Sequence, residues 1–201
     1  MEIEIKLGPV NMETAARVFA DPALAPCMGP VIITGMHTVY YDDKHRTLRR
    51  EHVTLRLRRE GARSVCTLKT GGTGPDGVAR RTELEAEAPD LMSGLAALVV
   101  KPEMPEEVRP LLRGSLEPTC GARFVRKEAR VTLPDVTFAL SFDQGELYAG
   151  DNTEPLAEIE LELVEGEPEA LVREARRIME LYQLRYLPDS KQKRAAALEV
   201  R

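Results

Sequence analysis

The chain begins Met1-Glu2-Ile3-Glu4-Ile5-Lys6, and this strict alternation is the feature that most restricts how it can fold. Side chains in a strand repeat every two residues, so Glu2, Glu4 and Lys6 share one face while Ile3, Ile5 and Leu7 share the other. The same division returns along the chain. Val53, Leu55 and Leu57 oppose Thr54, Arg56 and Arg58; Thr82, Leu84 and Ala86 oppose Arg81, Glu83, Glu85 and Glu87; Ile159, Leu161 and Leu163 oppose Glu158, Glu160 and Glu162. Such strands must bury one face and accommodate charge on the other.

Further strands are predicted at 33–41, 63–70 and 78–88, then at about 122–133 and 136–143 around a Pro134-Asp135 turn. A separate strand is expected through Glu146-Leu147-Tyr148, after Asp143-Gln144-Gly145. Helical spacing appears at Met12, Ala15, Ala16 and Phe19 behind an Asn11 cap, at Leu91, Leu95 and Leu98, and at Leu171, Ala175, Ile178 and Tyr182. A shorter, proline-punctuated helix holds Val108, Leu111 and Leu112. Residues 21–30 read as a loop, and the end of the chain around Pro188-Asp189-Ser190-Lys191 as a short mixed segment. The glycine-rich stretch Gly71-Gly72-Thr73-Gly74-Pro75-Asp76-Gly77 lacks a Gly-Lys-Ser/Thr ending and precedes a strand, so it reads as a turn and not a phosphate cradle.

With 201 residues, 43% of them apolar and 30% charged, the chain fits a single globular domain spanning 1–201. No apolar run approaches the roughly 20 residues of a spanning helix, and the acidic start lacks a secretory signal, so a cytoplasmic protein without membrane association is expected. The three cysteines, Cys27, Cys66 and Cys120, show no zinc-like spacing and read as reduced thiols. A net charge of -5 argues against a nucleic-acid coat, yet 21 of the 28 basic residues are arginine, suited to forked recognition of phosphate. A homodimer is allowed but not required.

A solvated outer face explains any one of these charged strands. As a set they allow another arrangement: about eight strands with short turns can close a barrel whose aliphatic face is covered by the helices outside. The inward set is then Glu2, Glu4, Lys6, Arg56, Arg58, Lys69, Arg81, Glu83, Glu85, Arg126, Asp143, Glu158 and Glu160. Charges so enclosed must be paired, hydrated or bound to ions. Carboxylate clusters hold hard cations such as magnesium or manganese, and Arg/Lys clusters hold phosphate oxygens, so a metal-bridged polyphosphate suits the combination.

The Glu2, Glu4, Lys6 strand resembles the amino-terminal Glu-x-Glu-x-Lys mark of the CYTH family of triphosphate tunnel metalloenzymes. Similar motifs follow in the same order: Tyr41-Asp42, Leu55-Arg56-Leu57-Arg58, Thr67-Leu68-Lys69, Arg81-Thr82-Glu83-Leu84-Glu85, Phe124-Val125-Arg126, Phe142-Asp143-Gln144-Gly145, Glu158-Ile159-Glu160-Leu161-Glu162 and Ser190-Lys191. The resemblance implies an α+β fold with a closed antiparallel barrel forming a tunnel for triphosphate and divalent metal. It implies that Lys6, Arg56, Arg58, Lys69, Arg81, Arg126 and Lys191 contact phosphate. Metal falls to Glu2, Glu4, Glu83, Glu85, Asp143, Glu158 and Glu160, with Glu2, Glu4, Glu158 and Glu160 the essential shell. Lys191 rests on the resemblance alone. Arg130 shares a face with Arg126 unless a bulge turns it outward, Glu87 and Glu162 are placed near a tunnel mouth, and Arg80 has the wrong parity. His37, His45 and His52 form no catalytic arrangement.

The expected reaction is hydrolysis of inorganic triphosphate to pyrophosphate and phosphate, with Mg2+ or Mn2+, the cations holding the chain in line and carboxylate-held metal activating the attacking water. Glu2, Glu4, Lys6, Glu158 and Glu160 are the catalytic set. Related activities on the same fold are cleavage of thiamine triphosphate and cyclisation of ATP. In the inorganic triphosphatase branch a helical, histidine-rich domain often follows, and none lies within these residues. A non-catalytic polyphosphate or nucleotide binder, and a plain barrel with solvated charges, are the competing readings.

Overall fold

A computed structural model describes residues 2–74 and 78–200. Pro75, Asp76 and Gly77 of the expected glycine-rich turn lie outside the described residues. In chain order the strands are β1 (Glu2–Gly8), β2 (Ile32–Asp42), β3 (Val53–Glu60), β4 (Arg63–Thr73), β5 (Val78–Glu87), β6 (Glu117–Thr132), β7 (Val136–Ala149), β8 (Asn152–Gly166) and the two-residue β9 (Arg185–Tyr186). The helices are α1 (Met12–Phe19), α2 (Thr47–Arg50), α3 (Leu91–Val99), α4 (Pro168–Tyr182) and α5 (Lys191–Ala196).

The first eight strands run antiparallel in the order β5-β4-β3-β2-β6-β7-β8-β1, and β1 pairs back onto β5 to close the barrel. β1 makes that closure with its first residues and meets β9 with its last, while β8 holds its other edge. The register sets Glu2 opposite Arg81, Glu4 opposite Glu162 and Lys6 opposite Glu160, which brings charges from three strands onto one inward face.

The core lies outside the barrel wall. Ile3, Ile5 and Leu7 pack with Phe138, Leu140, Ile159 and Leu161 beneath α1 and α4, which contribute Val18, Leu171 and Ile178. On the opposite side Leu55, Leu68 and Leu84 pack beneath Leu95 and Leu98 of α3. Each such side chain contributes about 1.5–3 kcal/mol on burial. Two aliphatic layers therefore hold the wall from outside, offsetting the several kcal/mol per ion that withdrawing charge from water costs inside. The expected Asn11 cap forms, its Oδ1 accepting from the Thr14 N–H, and Asp90, not foreseen as a cap, accepts from the Ser93 N–H at the start of α3, both at 2.8 Å.

A third cluster closes one end of the barrel. Ala195, Ala196 and Leu198, on α5 and the 3-10 turn after it, pack on Tyr40, Ala122, Phe124, Leu147 and Leu156, all of inward parity. Helical periodicity over six residues is too brief to be read from sequence, so α5 was not predicted. Nor was α2, which is held by a local device. Asp42 Oδ1 accepts from Leu48 N–H at 2.9 Å and Oδ2 from Arg49 N–H at 3.0 Å, so the buried carboxylate of the Tyr41-Asp42 motif ties β2 to α2.

The separate strands expected at 136–143 and at Glu146 onward are one continuous strand, β7. Gly145, expected between two separate strands, sits in mid-strand opposite Phe124, where a Cβ would lie 2.1 Å from the Arg123 carbonyl oxygen. The glycine is there for close approach of β6, not for reversal of the chain. The proline-punctuated helix is a 3-10 turn, Arg109–Arg113. Pairing of β6 with β7 runs without a bulge from Gly121 to Thr132, so Arg130 keeps the parity of Arg126 and is exposed beyond the cavity.

Candidate active site

The lumen holds a cavity of about 150 Å3. That is well under the about 300–1,000 Å3 of clefts for drug-sized ligands and suits a compact polyanion. All seven predicted phosphate contacts, Lys6, Arg56, Arg58, Lys69, Arg81, Arg126 and Lys191, line it. So do Glu2, Glu4, Glu83, Glu85 and Glu160, whereas Asp143 and Glu158 lie behind the cavity surface, both fully buried.

The charges pair in two regions of the lumen wall. On β1, β3, β4 and β5, Lys69 Nζ lies 2.6 Å from Glu2 Oε1 and 3.1 Å from Glu83 Oε1, Arg81 Nη1 lies 2.6 Å from Glu4 Oε1, and Arg56 Nη2 lies 3.4 Å from Glu83 Oε1. On β6, β7, β8 and α5, Arg126 makes a two-point pair with Asp143 at 2.7 Å and reaches Glu160 Oε2 at 2.5 Å. The Lys191 ammonium contacts Asp143 at 2.7 Å, Glu158 at 2.5 Å and Glu160 at 2.9 Å. Lys6 joins the two regions, paired with Glu4 and 3.9 Å from Glu160.

Electrostatics separate otherwise similar carboxylates. Burial raises Glu160, but Lys191, Arg126 and Lys6 outweigh it and hold its carboxyl well below the usual range. Glu4 is likewise lowered, with Lys6 prevailing over burial. In Glu158 and Glu2, burial wins against Lys191 and Lys69 respectively, and both are raised. Glu162 lines the mouth, where crowding by the protein and then the charge of Glu2 push it up to about 7. Burial works against the charged form of Lys191, yet Asp143, Glu158 and Glu160 keep its pKa well above the ordinary lysine value.

Asp143, Glu158 and Glu160 each offer an oxygen within 4.8 Å of the others, a buried all-oxygen set that fits a hard divalent cation. The expected shell of Glu2, Glu4, Glu158 and Glu160 is thus divided. Among the described residues Glu2, Glu4, Glu83 and Glu85 belong to no such cluster of three: Glu2 and Glu83 turn to Lys69, Glu4 to Lys6 and Arg81, and Glu85 to Arg56 and Arg58. Of the buried side-chain atoms without a hydrogen-bond partner among the described residues, two belong to the lumen lining: Glu2 Oε2, an open acceptor, and Arg56 Nε, an open donor. A lumen that takes up a cation and an anion together satisfies both.

Several lining residues were missed. Thr38, Tyr40 and Phe124 face inward by the parity of β2 and β6, a signal present in the sequence but not used. Gln192 on α5 gave no such signal; its Oε1 accepts from Thr54 Oγ1 at 2.5 Å and carries α5 to the wall. Glu87 pairs with Arg63 on the exposed rim. His37 bonds Tyr148 on the outer surface at 3.0 Å, and none of His37, His45 and His52 lines the lumen.

An eight-stranded closed barrel with a charged lumen and a terminal helix at one end defines a tunnel-type fold. Residues 1–196 match the CYTH domain, and the chain belongs to that family. Over 132 residues it is 30% identical to an inorganic triphosphatase of Haemophilus influenzae, an alignment spanning 63% of this chain and 35% of the relative. The structure resembles a putative adenylyl cyclase from Hippeastrum, described as revealing a dominant triphosphatase activity, with a TM-score of 0.65 and 21% identity over 94% of this chain and 91% of that one. It also resembles the PH1819 protein of Pyrococcus horikoshii, with a TM-score of 0.60 and 19% identity over the whole of both chains.

Proposed function

We propose that this chain hydrolyses inorganic triphosphate to pyrophosphate and phosphate with Mg2+ or Mn2+. The observation that carries the reading is one small cavity lined by seven cations beside a buried carboxylate triad of 4.8 Å span. The Haemophilus influenzae relative supports the choice of substrate.

Lys6, Arg56, Arg58, Lys69, Arg81 and Arg126 hold the phosphate chain and orient its terminal phosphorus. Phosphoryl transfer asks chiefly for positioning and charge stabilisation, which these groups supply without reorganising, since their carboxylate partners already fix them. Lys191 turns from the triad to a phosphate oxygen, freeing carboxylate oxygens. A divalent metal held by Asp143, Glu158 and Glu160, with Glu2 and Glu4 offering oxygens from the adjacent strand β1, would supply charge neutralisation and an activated water. Glu2 Oε2 and Arg56 Nε gain partners as ligands enter. The substrate is a free small molecule in the cytoplasm, without nucleic acid or membrane; no helix among the described residues is long and apolar enough to cross a membrane.

Phosphate release from triphosphate, thiamine triphosphate and ATP, each with magnesium, manganese and no metal, tests the proposal. Metal-dependent release from triphosphate at the highest kcat/KM is expected. Intact triphosphate alongside cyclic AMP formed from ATP overturns it in favour of a cyclase, and binding without turnover of any of the three in favour of a non-catalytic binder.

A further inference from the structure

Glu158 is fully buried, and its two oxygens are held separately by two cations of one short helix. Lys191 Nζ contacts Oε1 at 2.5 Å from the lumen, and Arg194 Nη1 contacts Oε2 at 2.6 Å. Lys191 lines the cavity whereas Arg194 does not, so Arg194 touches the carboxylate from behind and away from any ligand in the lumen. The helix that delivers it is fixed at several points. Ser190 Oγ accepts from the Lys193 N–H at 3.2 Å, Asn152 Nδ2 donates to the Leu198 carbonyl at 2.9 Å, and Arg46 and Arg49 each lie 3.1 Å from Glu199.

We propose that Arg194 is the positioning residue for Glu158, holding Oε2 in place while Lys191 releases Oε1 toward the lumen. The inference rests on the reading of the lumen as a metal-dependent triphosphatase. When Lys191 moves to a phosphate, a Glu158 without Arg194 would be a buried carboxylate with no protein cation to hold it in place. Arg194, one helical turn from Lys191 and outside the cavity, keeps its contact throughout. Glu158 therefore presents Oε1 in a constant orientation, the service that partners behind a metal ligand provide.

The test is a Mn2+ titration of the full chain without substrate, followed by calorimetry or by the EPR signal of free Mn2+, together with steady-state kinetics. Arg194→Ala is expected to weaken Mn2+ binding about 10- to 100-fold while the KM for triphosphate at saturating Mn2+ stays within about 3-fold of wild type. Arg194→Lys recovers most of the affinity. Glu154→Gln leaves Mn2+ binding unchanged, because Glu154 stands 3.8 Å from Arg194 Nε, a different nitrogen from the Nη1 that holds Glu158. Wild-type or tighter Mn2+ affinity in Arg194→Ala overturns the proposal, as does a raised KM with unchanged Mn2+ affinity, which would make Arg194 a phosphate contact. If Arg194→Ala does not fold, Arg194→Gln, which keeps most of the packed stem, must show the same weakening, and wild-type affinity in that variant overturns it. A wild type that binds Mn2+ but leaves triphosphate intact overturns the hydrolase reading, and the titration still decides the role of Arg194. A wild type that binds no Mn2+ overturns both.

Discussion

Arg126 on β6 and Asp143 on β7 face each other in cross-strand register and are joined at two points, Nε to Oδ1 and Nη2 to Oδ2, each 2.7 Å. Asp143 is wholly buried, and Lys191 adds a third contact at 2.7 Å. Its removal leaves two enclosed cations short of a partner, so Asp143→Ala is expected to cost about 3 kcal/mol of stability, read by urea denaturation. Replacing both members, Asp143→Leu with Arg126→Met, should restore most of the stability but no activity. A double variant as unstable as the single one would show that the pair is not the source of the loss.

The two sides of the lumen should respond differently in kinetics. Arg56 is a phosphate contact in the proposed function, and Arg56→Ala should raise the KM for triphosphate about tenfold, the worth of one charge-assisted hydrogen bond, with a smaller change in kcat. Glu4→Gln loosens Lys6 and Arg81 together and should lower kcat by about 100-fold or more at any substrate concentration. Unchanged turnover in Glu4→Gln would remove β1 from the catalytic machinery.

Outside the barrel, Asp21 links the loop after α1 to α4. Its carboxylate accepts from Arg177 at 3.0 and 3.1 Å and from Tyr182 at 2.7 Å. Burial opposes ionisation, but these hydrogen bonds outweigh it and hold the carboxyl below its ordinary 3.8. A depressed folded pKa means that the stabilisation is complete above the unfolded value and is lost as pH falls through the folded one. Asp21→Asn should therefore cost about 2 kcal/mol at pH 7, and the gap to wild type should narrow as pH falls below the ordinary aspartate range. A gap that stays constant with pH would assign the effect to packing and not to charge.

Two strand glycines, Gly145 on β7 and Gly35 on β2, make a paired test of β7. A methyl group at Gly145 meets the Arg123 carbonyl oxygen at 2.1 Å and the Phe124 Cα at 2.6 Å, while at Gly35 nothing lies within 4 Å. Gly145→Ala should cost about 3 kcal/mol or prevent folding, and Gly35→Ala should change stability by less than about 0.5 kcal/mol. Thermal unfolding of the two variants side by side checks this. Equal midpoints would mean that the β6–β7 contact yields at no cost.

Much of the wall was legible because strand periodicity is local. Glu2, Glu4 and Lys6 could be assigned one face without knowing any neighbour, and so could Arg56 with Arg58 and Glu83 with Glu85. The limits were also local. Gly145 looks the same in a turn as in a tightly packed strand, since only the approach of β6 distinguishes them. α2 depends on Asp42 reaching six and seven residues ahead, and α5 on Ala195, Ala196 and Leu198 finding the end of the barrel.

The sequence by itself determined which side chains share a face, because a period of two needs only the strand. The tertiary structure decided which of them meet. Closure of β1 onto β5 and β8 sets the register that places Glu2 and Glu4 among Lys69, Lys6 and Arg81. The alignment of β7 with β8 puts Asp143 beside Glu158, and α5 brings Lys191 and Arg194 to them. Parity carries no information about depth along the barrel or about a helix entering its end, so the carboxylate triad and the cations that hold it exist only once the barrel has closed.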